Sequence, residues 1–371
     1  MLNSLHIENY RNLQELKMDS LSQINLITGK NNTGKSSILE ALAIYAGKGD
    51  CVDLHKLLEY RGEFFDQLHA KDFTELNMRS LASLFTDRKG IFDGKSIVIG
   101  NDETSLSLRF VQYFDELQTE EQGKTIRKRQ VVSKKNEGHK YVDARPGFEI
   151  SFNNEYAAEY QVLPLYADRL PRLKFHELNM LSERKNYRLV RAGDIDKEDV
   201  GKLFDSIALS EKENAVIEAL KIIDPCIERI AFIDDSARGR TAVVKRSGES
   251  ETQALRSMGD GVNRILTIIL AMVNCNDGFL LIDEFENGLH YSVQTALWSV
   301  IFKLSKTLNI QVFATTHSND CIASFESVLN DTENTINGQV IRLDNINGQI
   351  KQVAFSPEEL RTANNQNIEI R

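Results

Sequence analysis

Four cysteines, Cys51, Cys226, Cys275 and Cys321, are scattered through 371 residues with no CxxC pair and no histidine cluster near them. That spacing excludes a zinc ribbon or a disulfide framework and leaves four free thiols. No apolar run approaches the roughly 20 residues needed to span a bilayer, and no signal-peptide pattern is present, so a cytoplasmic protein without a membrane partner is expected. Heptads, internal repeats and low-complexity tracts are also missing, which removes a long coiled-coil arm. A net charge of -9 argues against a uniformly basic, nucleic-acid-coating protein while leaving room for a local basic groove. The composition, 41% hydrophobic and 27% charged, is that of a globular chain, and its length suggests two closely joined lobes at ~150 residues per domain.

What is present begins at Gly29. Gly29-Lys30-Asn31-Asn32-Thr33-Gly34-Lys35-Ser36 fits GxxxxGKS, with the apolar run Ile24–Thr28 before it and a helical pattern from Ser37 to Ala43 after it. A strand, a glycine-rich turn and a helix in that order form a P-loop. Backbone N–H groups from Lys30 to Lys35 would wrap the β-phosphate, with Asn31, Asn32, Thr33, Gly34 and Ser37 in the same cradle. Lys35 would reach the β- and γ-phosphates, and Ser36 would hold Mg²⁺.

Phe279-Leu280-Leu281-Ile282-Asp283-Glu284 reads as a buried strand ending in two carboxylates, the form of a Walker B motif. Asp283 is placed to bind Mg²⁺ through water and Glu284 to polarise the attacking water, since phosphoryl transfer asks mainly for positioning and charge stabilisation. Thr315-Thr316-His317-Ser318 follows another apolar strand, Ile310 to Ala314. A histidine at the carboxyl end of such a strand faces the ligand crevice, so His317 is expected to donate to the γ-phosphate. Ser257-Met258-Gly259-Asp260-Gly261 precedes a helix expected at Val262 to Val273. Its small residues offer a second set of N–H groups to an anion, and one chain does not readily bring both sets to one phosphate. Two chains facing each other would do so.

Between these motifs the pattern is helical from Cys51 to Lys89, then strand-like at 95–99, 105–114, 126–132 and 148–152, as in an antiparallel sheet, and helical again from Ile195 to Asp224. A helix from Tyr291 to Leu308 follows the Walker B strand. A hairpin around Asn347-Gly348 and a short helix capped by Ser356, with Pro357 at its first position and Glu359 at its third, come last.

This order of elements resembles the ABC-type ATPases of the SMC, RecF and OLD group over most of the chain. The residues carrying the resemblance are Ile7-Glu8-Asn9-Tyr10-Arg11, the P-loop and its helix, Ser257–Gly261, Leu280–His290 and Ala314–Ser318. It implies an α/β ABC-type ATPase head with a P-loop mixed core sheet, an antiparallel β subdomain and a helical lobe. The expected division is a nucleotide core at 1–50 and 262–330, a β and helical lobe at 51–261, and a C-terminal hairpin and helix at 331–371. ATP would be the substrate and Mg²⁺ the cofactor. An ATP-dependent homodimer, or a higher oligomer built on it, would use Ser257, Gly259 and Gly261 as the signature in trans and Asn287 and Gly288 in the D-loop, with Arg11 near the nucleotide.

The wording is similar to the OLD-like AAA ATPases of bacterial defence systems (the AAA_15 and AAA_21 type), without the TOPRIM domain of full-length OLD nucleases. That likeness implies a separately encoded effector, such as a TOPRIM or HNH nuclease or a toxin. The alternative is a RecF-like repair ATPase that clamps DNA. Two basic stretches, Lys124/Arg127/Lys128/Arg129/Lys134/Lys135 and Arg184/Lys185/Arg188/Arg191, are the candidates for DNA contact, although charge runs are usually solvated faces.

Overall fold

The computed structural model describes residues 1–63, 73–89, 92–119, 125–132, 143–154, 158–166, 185–193, 197–235, 239–331, 335–366 and 370. The chain opens with an antiparallel hairpin, β1 (Leu5–Tyr10) and β2 (Leu13–Met18), and then enters β3 (Ile24–Gly29) and α1 (Lys35–Ala46), the strand and helix expected around the P-loop. Helices α2 (Cys51–Tyr60) and α3 (Phe73–Ala82) follow. The strand-rich stretch contains β4 (Ile97–Gly100), β5 (Ser105–Thr119), β6 (Thr125–Val131), β7 (Arg145–Asn153) and β8 (Ala158–Pro164), and then β9 (Tyr187–Val190).

Helices α4 (Lys197–Asp205) and α5 (Glu211–Leu220) lead to a small three-stranded sheet, β10 (Ile227–Asp235), β11 (Gly239–Arg246) and β12 (Thr252–Ala254). The last third holds α6 (Asp260–Val273), β13 (Phe279–Ile282), α7 (Tyr291–Thr307), β14 (Gln311–Thr315), α8 (Asn319–Leu329), β15 (Gly338–Ile346), β16 (Gln349–Phe355) and α9 (Pro357–Asn365). The capping box at α9 is formed as expected: Glu359 N donates to Ser356 Oγ at 3.3 Å, and Ser356 N to Glu359 Oε2 at 2.8 Å.

Two large sheets sandwich α1. The core sheet runs β16-β15-β3-β14-β13-β9, with β15, β3, β14, β13 and β9 parallel and β16 antiparallel at the edge. The second sheet is antiparallel, β2-β1-β4-β5-β7-β8, with β6 added on β5. Pairing therefore does not follow chain order. The 1–50 segment expected in the nucleotide core contributes only β3 and α1 to it, while β1 and β2 pair into the antiparallel sheet. Conversely, β9 and the hairpin β15–β16, expected outside the core, complete it.

Side chains of the central strands alternate as a two-residue period requires. Leu280, Ile282, Val312, Ala314, Leu26 and Val340 pack with α6, α7 and α8. Phe279, Leu281, Phe313, Ile27 and Ile341 pack on the opposite face, with α1 and the antiparallel sheet. Because α1 is covered on all sides, every residue except Ser36 is buried, and the helix carries no polar stripe. That leaves only its N-terminus for chemistry.

Candidate functional site

The site lies where β3, β13 and β14 end side by side, the carboxyl edge at which parallel sheets bind ligands. The P-loop turn is set by backbone conformations that side chains resist. Gly34 has φ +90°, and a Cβ there would stand 2.6 Å from Leu13 Cδ2; Gly29 has φ +138°, and its Cβ would meet Leu343 O at 2.4 Å. Thr33 Oγ1 donates to Lys30 O at 2.8 Å, closing the turn. Gly34, as N-cap of α1, offers no side-chain acceptor, so the helix presents bare N–H groups at its first turn.

Lys35 is 6% exposed, and its Nζ donates to Gly29 O at 2.7 Å and Lys30 O at 2.9 Å. Burial pushes its ammonium down to about 8, against the pull of Asp283, Glu284 and Glu286. Ser36 Oγ donates to Asp283 Oδ1 at 3.0 Å. A hydroxyl and a carboxylate at that separation are hard oxygen donors of the kind Mg²⁺ takes, so the residues fit the ion.

Thr315, fully buried, organises the end of the Walker B strand. Its hydroxyl donates to Asp283 Oδ1 at 2.7 Å and accepts from Glu284 N at 2.8 Å, while its carbonyl accepts from Phe285 N at 2.9 Å. Glu284 takes a left-handed backbone, φ +49°. Phe285, next in sequence, stacks on Trp298 of α7 with ring centroids 4.0 Å apart. Glu286 then reaches across: its carboxylate accepts from Thr316 Oγ1 at 2.8 Å and from His317 N at 2.7 Å, so it fixes the backbone that carries His317.

Ser257 and Met258 end a 3₁₀ turn, Leu255–Met258, and Gly259 at φ +103° opens α6 at Asp260, two residues earlier than the expected Val262. Ser257 Oγ donates to Ala254 O at 2.7 Å. Gly261 lies against Gly288 of its own chain, for a Cβ there would come within 3.0 Å of Gly288 O. Asn287 Nδ2 donates to Ala192 O.

Arg11 is held by carboxylates: its Nε stands 2.8 Å from Glu40 Oε2, and its Nη1 lies 2.9 and 3.1 Å from the two oxygens of Glu63. Its neighbour Asn12 touches the P-loop instead. Asn12 Nδ2 donates to Asn32 O and its Oδ1 accepts from Ser37 Oγ, both at 3.0 Å. Asn12, Thr315 and Arg264 of α6 join the site without a motif that assigns them a role there. Arg264 donates to Arg191 O, Asp283 O and Glu284 O at 2.5, 2.7 and 2.9 Å.

Of the basic stretches, Lys124, Lys134, Lys135 and Arg184 lie outside the described residues. Strand β6 pairs Lys128 opposite Glu116 and Arg129 opposite Asp115. Arg129 Nη1 also donates to Val162 O at 3.0 Å. Lys185 stands over the Phe279 ring and Arg191 over the Tyr60 ring, the latter at 3.8 Å.

A P-loop strand flanked by the strand that carries His317, then the Walker B strand, together with an antiparallel sheet and a helical layer, defines an ABC-type ATPase head. The family described as "AAA domain, putative AbiEii toxin, Type IV TA system" (AAA_21) matches residues 24–322, and the chain belongs to this family of P-loop ATPases. It is 26% identical over 360 residues, 90% of each chain, to an "ATP/GTP phosphatase" of Helicobacter pylori. It is 40% identical over 73 residues to the DNA replication and repair protein RecF of Actinobacillus pleuropneumoniae, 19% of this chain and 20% of that one. Among solved structures, an SMC head bound to the C-winged helix domain of ScpA aligns with 96% of this chain and 98% of its own, at 14% identity and a TM-score of 0.48. Among the described residues no helix is long and apolar enough to cross a membrane.

Proposed function

We propose that the protein hydrolyses ATP in an ATP-dependent homodimer that controls a separate effector protein. The observation that carries the reading is the contact between Ser36 and Asp283, with Glu284 locked beside them by Thr315. Mg²⁺, held by Ser36 and Asp283, would neutralise charge on the β- and γ-phosphate oxygens. On binding ATP, Lys35 exchanges two carbonyl acceptors for phosphate oxygens, which favour its charged form. The bare N–H groups of α1 receive the β-phosphate. Glu284 accepts the proton of the attacking water, and His317 donates to the γ-phosphate.

Ser257, Gly259 and Gly261 are assigned to the partner's nucleotide, because α6 opens with uncapped N–H groups on a loop turned toward its own D-loop rather than its own P-loop. Gly288 lines the same contact, and Asn287 beside it is assigned with it to the D-loop. Arg11 is assigned a supporting role at the nucleotide through α1, whose Glu40 it holds. A separately encoded partner is supported only in general terms, by the family's description as a "putative AbiEii toxin, Type IV TA system", a system of more than one component. The local match to RecF supports a second reading, a nucleotide-gated DNA clamp. The pairing of Arg129 with an acidic strand and the stacking of Lys185 and Arg191 weigh against it.

The test is Glu284→Gln. ATP binding should be retained, turnover should fall about 100-fold or more, and a dimer should accumulate with ATP in light scattering. Unchanged turnover would remove Glu284 from the mechanism, and a persistent monomer would remove the dimer.

A further inference from the structure

Arg264 is 6% exposed and, among the described residues, makes no ion pair with a carboxylate. Its acceptors are three backbone carbonyls, and its Nε has no acceptor among the described residues. Burial pushes its guanidinium down, opposed by the more distant carboxylates of Asp283, Glu284 and Glu286. A buried charge whose hydrogen-bond partners are all carbonyls, with carboxylates only farther off, is expensive to keep, a cost that an apolar side chain does not carry. The neighbours Ile265, Leu266, Ile268 and Ile269 show that α6 accepts such residues. The charge therefore serves something other than packing.

Its targets indicate what that is. Nη2 gathers the carbonyls of two consecutive residues, Asp283 and Glu284, the second of them in a left-handed conformation that non-glycine residues resist. Glu284 is thereby gripped at both ends of its peptide frame: Thr315 accepts from its N–H, and Arg264 donates to its C=O. Nη1 adds the carbonyl of Arg191, at the end of the neighbouring strand β9. The guanidinium's planar fork suits this task, because it can satisfy several fixed acceptors at once where an ammonium cannot hold the same angles.

We propose that Arg264 is the positioning residue for Glu284, holding the left-handed kink that aims this carboxylate and tying it to the helix that follows the signature loop. The inference rests on the reading of Glu284 as the group that activates water. Its action is within one chain: the Arg264 of a subunit serves the Glu284 of that subunit.

Arg264→Met should lower kcat for ATP about 100-fold, the scale of a reacting group displaced by about 1 Å, while KM changes less than about threefold. Arg264→Lys, which restores a cation with fewer fixed donors, should recover about tenfold of the loss. On a Glu284→Gln background, Arg264→Met should cause no further loss, because the group it positions is already disabled. A fall in kcat that persists undiminished on that background would overturn the proposal, as would a change confined to KM. If Arg264→Met does not fold, the Lys variant decides by the same split of kcat from KM.

The two readings fail separately. Should Glu284→Gln itself leave turnover intact, the reading of Glu284 falls. Should it stop turnover while Arg264→Met does not, only the positioning role falls. In mixed dimers with a Lys35→Ala subunit, Arg264→Met in the subunit that retains Lys35 should silence the remaining site. The same change placed in the Lys35→Ala subunit should leave that site active; the reverse pattern would make Arg264 part of the trans signature and sink the proposal.

Discussion

Ser36 and Asp283, 247 positions apart in the chain, meet at 3.0 Å, so that the helix start after β3 and the end of β13 present one hydroxyl and one carboxylate to the same point. The P-loop supplies the first and the Walker B strand the second. The contact depends on β14 lying between the two strands, with Thr315 donating to the same carboxylate oxygen.

Chelation of Mg²⁺ with EDTA should stop ATP turnover in the intact protein, and Asp283→Asn should raise the Mg²⁺ concentration needed for half-maximal rate about tenfold or more. Titrating the ion at fixed ATP checks both. A rate independent of added divalent metal would contradict the assignment of Ser36 and Asp283.

Gly34→Ala places a methyl group where Leu13 already stands and asks an alanine to hold φ +90°. The strain should cost about 1–3 kcal/mol, and ATP binding should be lost because the turn reshapes. A thermal melt with and without ATP separates the two effects: the melting temperature falls, and the shift that ATP gives the native protein disappears.

Thr315→Val keeps the shape and removes the hydroxyl. The N–H of Glu284 then lacks its acceptor, at a cost of about 1–3 kcal/mol, and turnover should drop on the order of tenfold with little change in ATP affinity. Denaturant unfolding and steady-state kinetics together test this. A variant with native kcat would show that the Glu284 backbone does not need the bond.

Thiol labelling should find one reactive cysteine. Cys226 is exposed, while Cys51, Cys275 and Cys321 are buried. Burial pushes the Cys275 and Cys321 thiols up to about 12, so at pH 8 only about 10⁻⁴ of each is thiolate. Alkylation of the native protein followed by peptide mass analysis should mark Cys226 alone, and the remaining three should react only after denaturation. Prompt labelling of Cys275 would mean that α6 does not pack as described.

The parts of the site readable from sequence are those written in consecutive residues. The P-loop, the Asp283-Glu284 pair and His317 are each announced by an apolar strand immediately before them. Arg264 was not readable in this way, because its partners are backbone carbonyls, and no residue type marks a carbonyl as an acceptor. Asn12 escaped for a related reason: it sits in the same turn as Arg11, and only the folded hairpin shows which of the two reaches Asn32. The strand β9 is four residues long within the charged run Lys185 to Arg191, so its period-two pattern is too short to stand out from a basic loop. The strands β10 to β12 lie between the helix ending near Pro225 and Ser257 without a motif to mark them. The hairpin at Asn347-Gly348 was legible, but its place was not, since strand pairing across 300 residues leaves no local trace.

That last pairing has a kinetic consequence. Strand β3 is flanked on one side by β14 and on the other by β15, so both neighbours of the P-loop strand are made some 280 or more residues after it. A nascent chain carries its phosphate-binding turn for most of its synthesis without the strands that hold it in shape. The antiparallel sheet can pair first, with α1 against it, and the nucleotide site is closed only when the segment through Leu343 is available. A ribosome-bound intermediate lacking that segment should therefore be unable to capture ATP, and nucleotide binding becomes a report that the chain has finished folding.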